Sequence, residues 1–199
     1  MPARRAGHAP EATVTRFAVL ALLIPSALAA QQRGFTVGVT GFTGGDWQPS
    51  GVEIGLLRAV GGTPGQSLGA MLCVGGFVQD QAVLVGGSTG FFMSVVGTFR
   101  RPLVTLASVG QETNLSYARL VGVLELGVSK DFNSPLPQGN VRGTGAALLG
   151  LSFGGDGRLD ESFAILAGPA WFVGDATNTH AQVTMRFQSA LGRRRRGGA

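Results

Sequence analysis

Cysteine is almost absent. Cys73 stands alone among 199 residues, so no disulfide can form within the chain and no cysteine cluster can hold a metal. Histidine is nearly as rare, with His8 and His180 only, which excludes a histidine-rich metal site. No run of Asp and Glu has calcium-loop spacing, and no cofactor or metal is expected. Charge is thin: Asp, Glu, Lys and Arg make up 14% of the chain, and Lys130 is the only lysine. A domain surface that meets water carries roughly 25–35%. After Ala30 there is no apolar run of the ~20 residues that a spanning helix needs. Helix is disfavoured in general, because 33 glycines interrupt the chain and each one inside a helix costs about 1 kcal/mol. Only 9 prolines accompany them, which excludes a collagen-like or disordered Pro/Gly tract.

What is present begins with an export signal. Arg4, Arg5 and Arg16 precede "FAVLALLIPSALAA" (17–30), a fourteen-residue run that ends in Ala27-Leu28-Ala29. A basic start, an apolar stretch of that length and a small-residue site predict a signal peptide over 1–30, removed near Ala29 or Ala30. From Gln31 onward Lys and Arg number 13 and Asp and Glu 10; without Arg193 to Arg196 the balance is 9 against 10. The excess basicity therefore lies in the leader and the tail. Nucleic-acid binding needs a basic surface on the folded body, so no nucleic-acid partner is expected.

Between these ends, short runs of Val, Leu, Phe and Thr alternate with turn residues, the pattern of strands. Eight are read, at 34–42, 50–60, 67–78, within 89–101, 115–129, 144–153, 161–173 and 180–190. In the first, Phe35, Val37 and Val39 face away from Thr36, Gly38 and Thr40. In the fifth, Ala118, Leu120, Leu124, Leu126 and Val128 oppose Arg119, Glu125 and Gly127. "AVLVGG" and "PLVTLASVG", between 79 and 114, would raise the count to ten if they formed strands of their own. Pro169 removes a ladder donor from the seventh run and calls for a bulge.

A sparsely charged, strand-rich chain with no spanning helix has one membrane solution, the closed barrel, in which every backbone group pairs and no edge is left open. The predicted fold is all-β: a closed antiparallel up-and-down transmembrane β-barrel over 31–191, with a flexible basic tail at 192–199. Eight strands leave a bore that side chains alone can fill. By the alternation, Glu53, Arg119, Glu125 and Arg186 point inward and should pair, because unpaired charges screened from water are costly. Such an interior is a plug. Arg58 falls on the apolar face, but at a strand end, where its head can reach water. Trp47, Tyr117, Phe132, Trp171 and Phe172 lie near strand ends, as an aromatic girdle requires.

The leader, the alternating strands and the closing "VTMRF" (183–187) resemble the small OmpA/OmpX-like outer-membrane β-barrel proteins, by pattern over Gln31 to about Leu191. The resemblance implies residence in outer-membrane lipid, as a monomer. It also implies that Val183, Met185 and Phe187 form the terminal-strand signal read by the barrel-assembly machinery, although twelve residues follow Phe187 here.

Two other functions remain open on the sequence. A soluble, secreted lipocalin-like barrel would bind an apolar ligand, and would need its apolar residues inside. A barrel enzyme acting on lipid would use "GGSTG" (86–90), which fits the G-x-S-x-G elbow around Ser88, with Asp175 and His180 following in hydrolase order. That chemistry needs a strand–turn–helix context, and no helix is predicted, so no enzymatic role is expected. "GGTPGQS" (61–67) has the glycines of a phosphate loop without its lysine. The expected role is structural, or surface interaction through loops around 43–49, 130–142 and 174–180.

Overall fold

The computed structural model describes residues 32–44, 47–79, 88–111, 114–132, 141–155, 162–173 and 179–191. The leader expected over 1–30 and the tail over 192–199 lie outside them. The described residues contain no helix. They form eight strands: β1 (Arg33–Thr43), β2 (Trp47–Ala59), β3 (Ser67–Gln79), β4 (Ser88–Gln111), β5 (Asn114–Phe132), β6 (Val141–Gly154), β7 (Ser162–Val173) and β8 (His180–Leu191). Each pairs antiparallel with the next in sequence, and β8 pairs with β1, so the sheet closes as an up-and-down barrel.

The count is eight because "PLVTLASVG" is not a separate strand. It extends β4, which runs 24 residues to Gln111. Two bulges, between Pro102 and Val104 and between Thr105 and Ala107, keep the extension paired with β5. The β3–β4 ladder ends at Ser67–Arg100, so this hairpin projects beyond the barrel wall. "AVLVGG" falls at 82–87, outside the described residues.

Register fixes the shape of the barrel. The pairing leads from Arg33 to Arg58, Leu68, Phe99, Leu124, Ala147, Pro169 and Ala181, and returns to β1 at Thr43 rather than Arg33. The stagger is therefore ten residues in one circuit. For eight strands it implies a tilt of roughly 40° and a bore filled by side chains. The circuit is interrupted only at Ala147–Pro169, where proline has no N–H to donate and the β6–β7 register skips Ala147 and Leu148. The C-terminal ends of β2, β4 and β6 lie at one end of the barrel, the turn end, with Arg33 and Leu191; the C-terminal ends of β1, β3, β5 and β7 lie at the other, the loop end.

Tight curvature requires glycine on the inner face. Gly51 and Gly75 are partners on β2 and β3, and a Cβ on either would overlap the other strand's backbone. Gly150 of β6 meets the backbone of Ile165 and Leu166 in the same way. Outward-facing Gly97 has room, its nearest neighbour lying 3.5 Å from a built Cβ. Gly150→Val should therefore destabilise the barrel by about 1–3 kcal/mol, while Gly97→Val leaves it within experimental error. Urea unfolding followed by tryptophan fluorescence checks both.

Candidate functional site: the barrel interior

Strict alternation divides the side chains into two populations. On β8, His180, Gln182, Thr184, Arg186 and Gln188 are buried, and Ala181, Val183, Met185 and Phe187 are exposed. On β2, Glu53, Gly55 and Leu57 face in while Val52, Ile54 and Leu56 are 62%, 59% and 68% exposed. The same division holds round the barrel: large apolar side chains cover the outside, and Thr, Ser, Gln, Glu, Asp and Arg lie within. Apolar side chains thus occur on both faces, while the buried polar and charged groups are gathered inside.

Arg186 of β8 organises the middle of the bore. Its Nε and Nη2 donate to Glu53 Oε2 and Oε1 at 2.6 and 3.0 Å, a bidentate pair. Its Nη1 lies 2.5 Å from Glu125 Oε1. One guanidinium thus links β2 and β5, which lie in different parts of the wall. Glu53 Oε2 also accepts from Thr184 Oγ1, and the remaining carboxylate oxygen, Glu125 Oε2, accepts from Gln182 Nε2.

Arg119, also expected in this network, is not part of it. It lies toward the turn end, where Nη1 donates to the Gly155 carbonyl at 3.3 Å and the guanidinium stacks over Tyr117 at 4.5 Å. Three interior residues were not anticipated. Arg100 donates to Gln188 Oε1 at 2.6 Å and to the hydroxyls of Ser162 and Ser152. Arg142 meets Asp131, with Nη2 at 3.1 Å from Oδ2, nearer the loop end. The alternation carries a signal for each. Arg100 is in step with inward Phe92 and Ser94, Asp131 with Glu125, and Arg142 with Ala146 and Leu148. Asp131 and Arg142 flank turn-rich sequence and, by sequence alone, read as loop.

Layers of apolar side chains pack among these polar groups. Val121, Val123, Leu148 and Leu166 are buried. Phe172 stands edge-on to Phe42 and to His180, at 5.1 and 4.9 Å between ring centroids. Three interior cavities among the described residues measure about 10, 20 and 30 Å³, room for a water or two rather than for a ligand.

The aromatic girdle needs correction. Phe172 is buried inside at 3% exposure, and Tyr117 has inward parity beneath Arg119. Both lie on the inner side of the alternation, which position near a strand end does not reveal. Phe132 and Trp171 are on the outside, near the loop end; Lys130 lies over the Phe132 ring at 5.4 Å. The Trp47 side chain lies outside the described residues. A second outer row, unforeseen, occupies the turn end: Phe153 pairs with Phe163, and Phe163 with Phe187. Val183 and Met185, on the same outer face of β8, continue from Phe187.

Of the hydrolase-like residues, His180 is buried against Phe172. Asp175 and the Ser88 side chain lie outside the described residues. Among the described residues no group of three or more His, Cys, Asp and Glu could hold a metal. No protein-family model, curated protein or solved structure matches the chain. The class that the fold defines is a closed, eight-stranded antiparallel barrel with ion pairs among its buried side chains and large apolar side chains on its exterior.

Removing Arg186 would leave Glu53 and Glu125 buried without their shared cation. Arg186→Met should cost about 3–5 kcal/mol. Adding Glu53→Gln and Glu125→Gln to that variant should recover most of the loss, since the two carboxylates that lost their shared cation are then neutral. Urea midpoints of the three forms measure the coupling.

Proposed function

We propose that this chain is an integral outer-membrane β-barrel of the OmpA/OmpX-like kind, with a plugged interior and a structural or surface-interaction role. The carrying observation is the inside-out distribution of polarity. Leu124, halfway round the circuit, is 57% exposed, and Leu126 is 76% exposed. The outward residues of β7 from Phe163 to Val173 include no charge. At the barrel's tilt this run covers roughly 25 Å along the axis, the height of the apolar band of such proteins.

Hydrocarbon explains why this face carries no polar groups, and closure explains how the backbone tolerates hydrocarbon. The Phe153–Phe163–Phe187 row at one end and Phe91, Phe132 and Trp171 at the other occupy the levels where aromatic rings meet headgroups. The partners of this reading are outer-membrane lipid and the barrel-assembly machinery, which would meet the β8 edge bearing Val183, Met185 and Phe187. With both termini of the barrel on the periplasmic side, the connections after β1, β3, β5 and β7 face outward from the cell. They are the surface available for adhesion or recognition. A packed, charge-paired bore speaks against the lipocalin-like alternative, which needs an apolar pocket. The reading assigns no catalytic step.

Placing an arginine in the belt tests it. Leu124→Arg should destabilise the vesicle-inserted barrel by about 2–4 kcal/mol. Val109→Arg, on the hairpin beyond the wall, should change stability by less than about 0.5 kcal/mol. Equal, small effects at both sites would mean that water meets the outer face. The folded chain should also require detergent for extraction and migrate faster on SDS gels unheated than heated.

A further inference from the structure

Two arginines stand side by side on the outer face. Arg33 of β1 and Arg58 of β2 are direct partners in the antiparallel ladder. The Ala59 N–H donates to the Gln32 carbonyl at 2.9 Å, which makes Gln32–Ala59 a hydrogen-bonded pair. Arg33–Arg58 is then the neighbouring non-hydrogen-bonded pair, where Cα atoms approach to about 4.5 Å and side chains run closest. Like charges directly opposite one another are destabilising. Their position is equally specific. Phe35, Val37 and Val39 continue outward from Arg33, and Leu56, Ile54 and Val52 from Arg58. Leu191 and Leu68 flank the pair at 48% and 39% exposure. On β4 the belt ends in the same fashion, with Phe99 followed by outward Arg101.

We propose that Arg33 and Arg58 form a clamp for the phosphate of an anionic phospholipid in the periplasm-facing leaflet. The inference rests on the membrane reading above. Two forked guanidinium groups at the foot of an apolar wall match a phosphodiester whose acyl chains lie along that wall, and the shared anion turns their repulsion into attraction. Phe35, Leu56 and Leu68 supply the surface for the chains, which a free phosphate ion could not use. The basic run Arg193 to Arg196 follows Leu191, the partner of Arg33, after a single glycine; it is a competing source of attraction that the experiment must separate.

The test uses the full chain in nanodiscs of equal phosphatidylcholine and phosphatidylglycerol, released for native mass spectrometry. Phosphatidylglycerol should be retained over phosphatidylcholine by about tenfold or more. Arg33→Gln/Arg58→Gln should bring retention near parity, and Arg33→Lys/Arg58→Lys, which keeps charge but loses the fork, should fall between. Heat-shifted gel migration verifies that each variant is folded. Replacing Arg193 to Arg196 with glutamine should leave the preference in place; its loss there, and not in the Arg33/Arg58 variant, overturns the clamp. Displacement by excess inorganic phosphate would reveal a free-anion site and overturn the lipid assignment. If the chain inserts but shows no preference, the clamp fails alone. If it does not insert, the membrane reading fails and the clamp with it.

Discussion

The ten-residue stagger of the closed ladder is the constraint from which the rest of the molecule follows. It sets the tilt and with it a bore that side chains fill, leaving room for no more than a water or two. Whatever points inward must therefore pack against the opposite wall. Glycine appears where the wall bends hardest, at Gly51, Gly75 and Gly150, because any Cβ there would strike the adjacent strand. Closure also removes the sheet edges, except along the β4 extension past Arg100, where bulges and Pro102 interrupt the exposed strand.

A polar core is a costly choice for such a bore, and its form reflects that cost. Charges screened from water need geometry good enough to offset desolvation. The Arg186 guanidinium obtains it by engaging two carboxylates from opposite regions of the barrel, each held by a further hydrogen bond from Gln182 or Thr184. Arg142 pairs with Asp131 of the adjacent strand, and Arg100 is held by the neutral oxygens of Gln188, Ser152 and Ser162. The bundle of cross-wall bonds ties distant strands together, which side chains on the outer face cannot do. An apolar core would be easier to pack, but a chain apolar on both faces loses the alternation that specifies register.

The legibility of the sequence follows the period of the strand. Where apolar and polar residues alternate without interruption, as in 181–187, strand, face and inward residues can all be read. Glu53, Glu125 and Arg186 were placed on one side of their strands by that pattern, and the fold brings them together. Where the pattern meets turn residues it fades, which is why Asp131 and Arg142 look like loop. The β4 extension looks like a separate strand because bulges break its parity. Tyr117 and Phe172 show a different limit: an aromatic near a strand end serves a girdle or a core according to parity, and distance from the end says nothing of it.

What the sequence by itself determined is one-dimensional: an all-β chain, eight alternating runs, and a face on each with the opposite polarity to its neighbour. Which faces meet was decided by tertiary structure. Alternation is a property of neighbours along a strand, whereas the partners of Arg186 lie 133 and 61 residues away and are chosen by stagger. The stagger also keeps Arg119 away from the central carboxylates, where it stacks on Tyr117, two residues back on the same strand, and the β1–β2 register sets Arg33 beside Arg58. Only a closed ring of strands converts period into contact, because only closure specifies which wall each inward side chain must face.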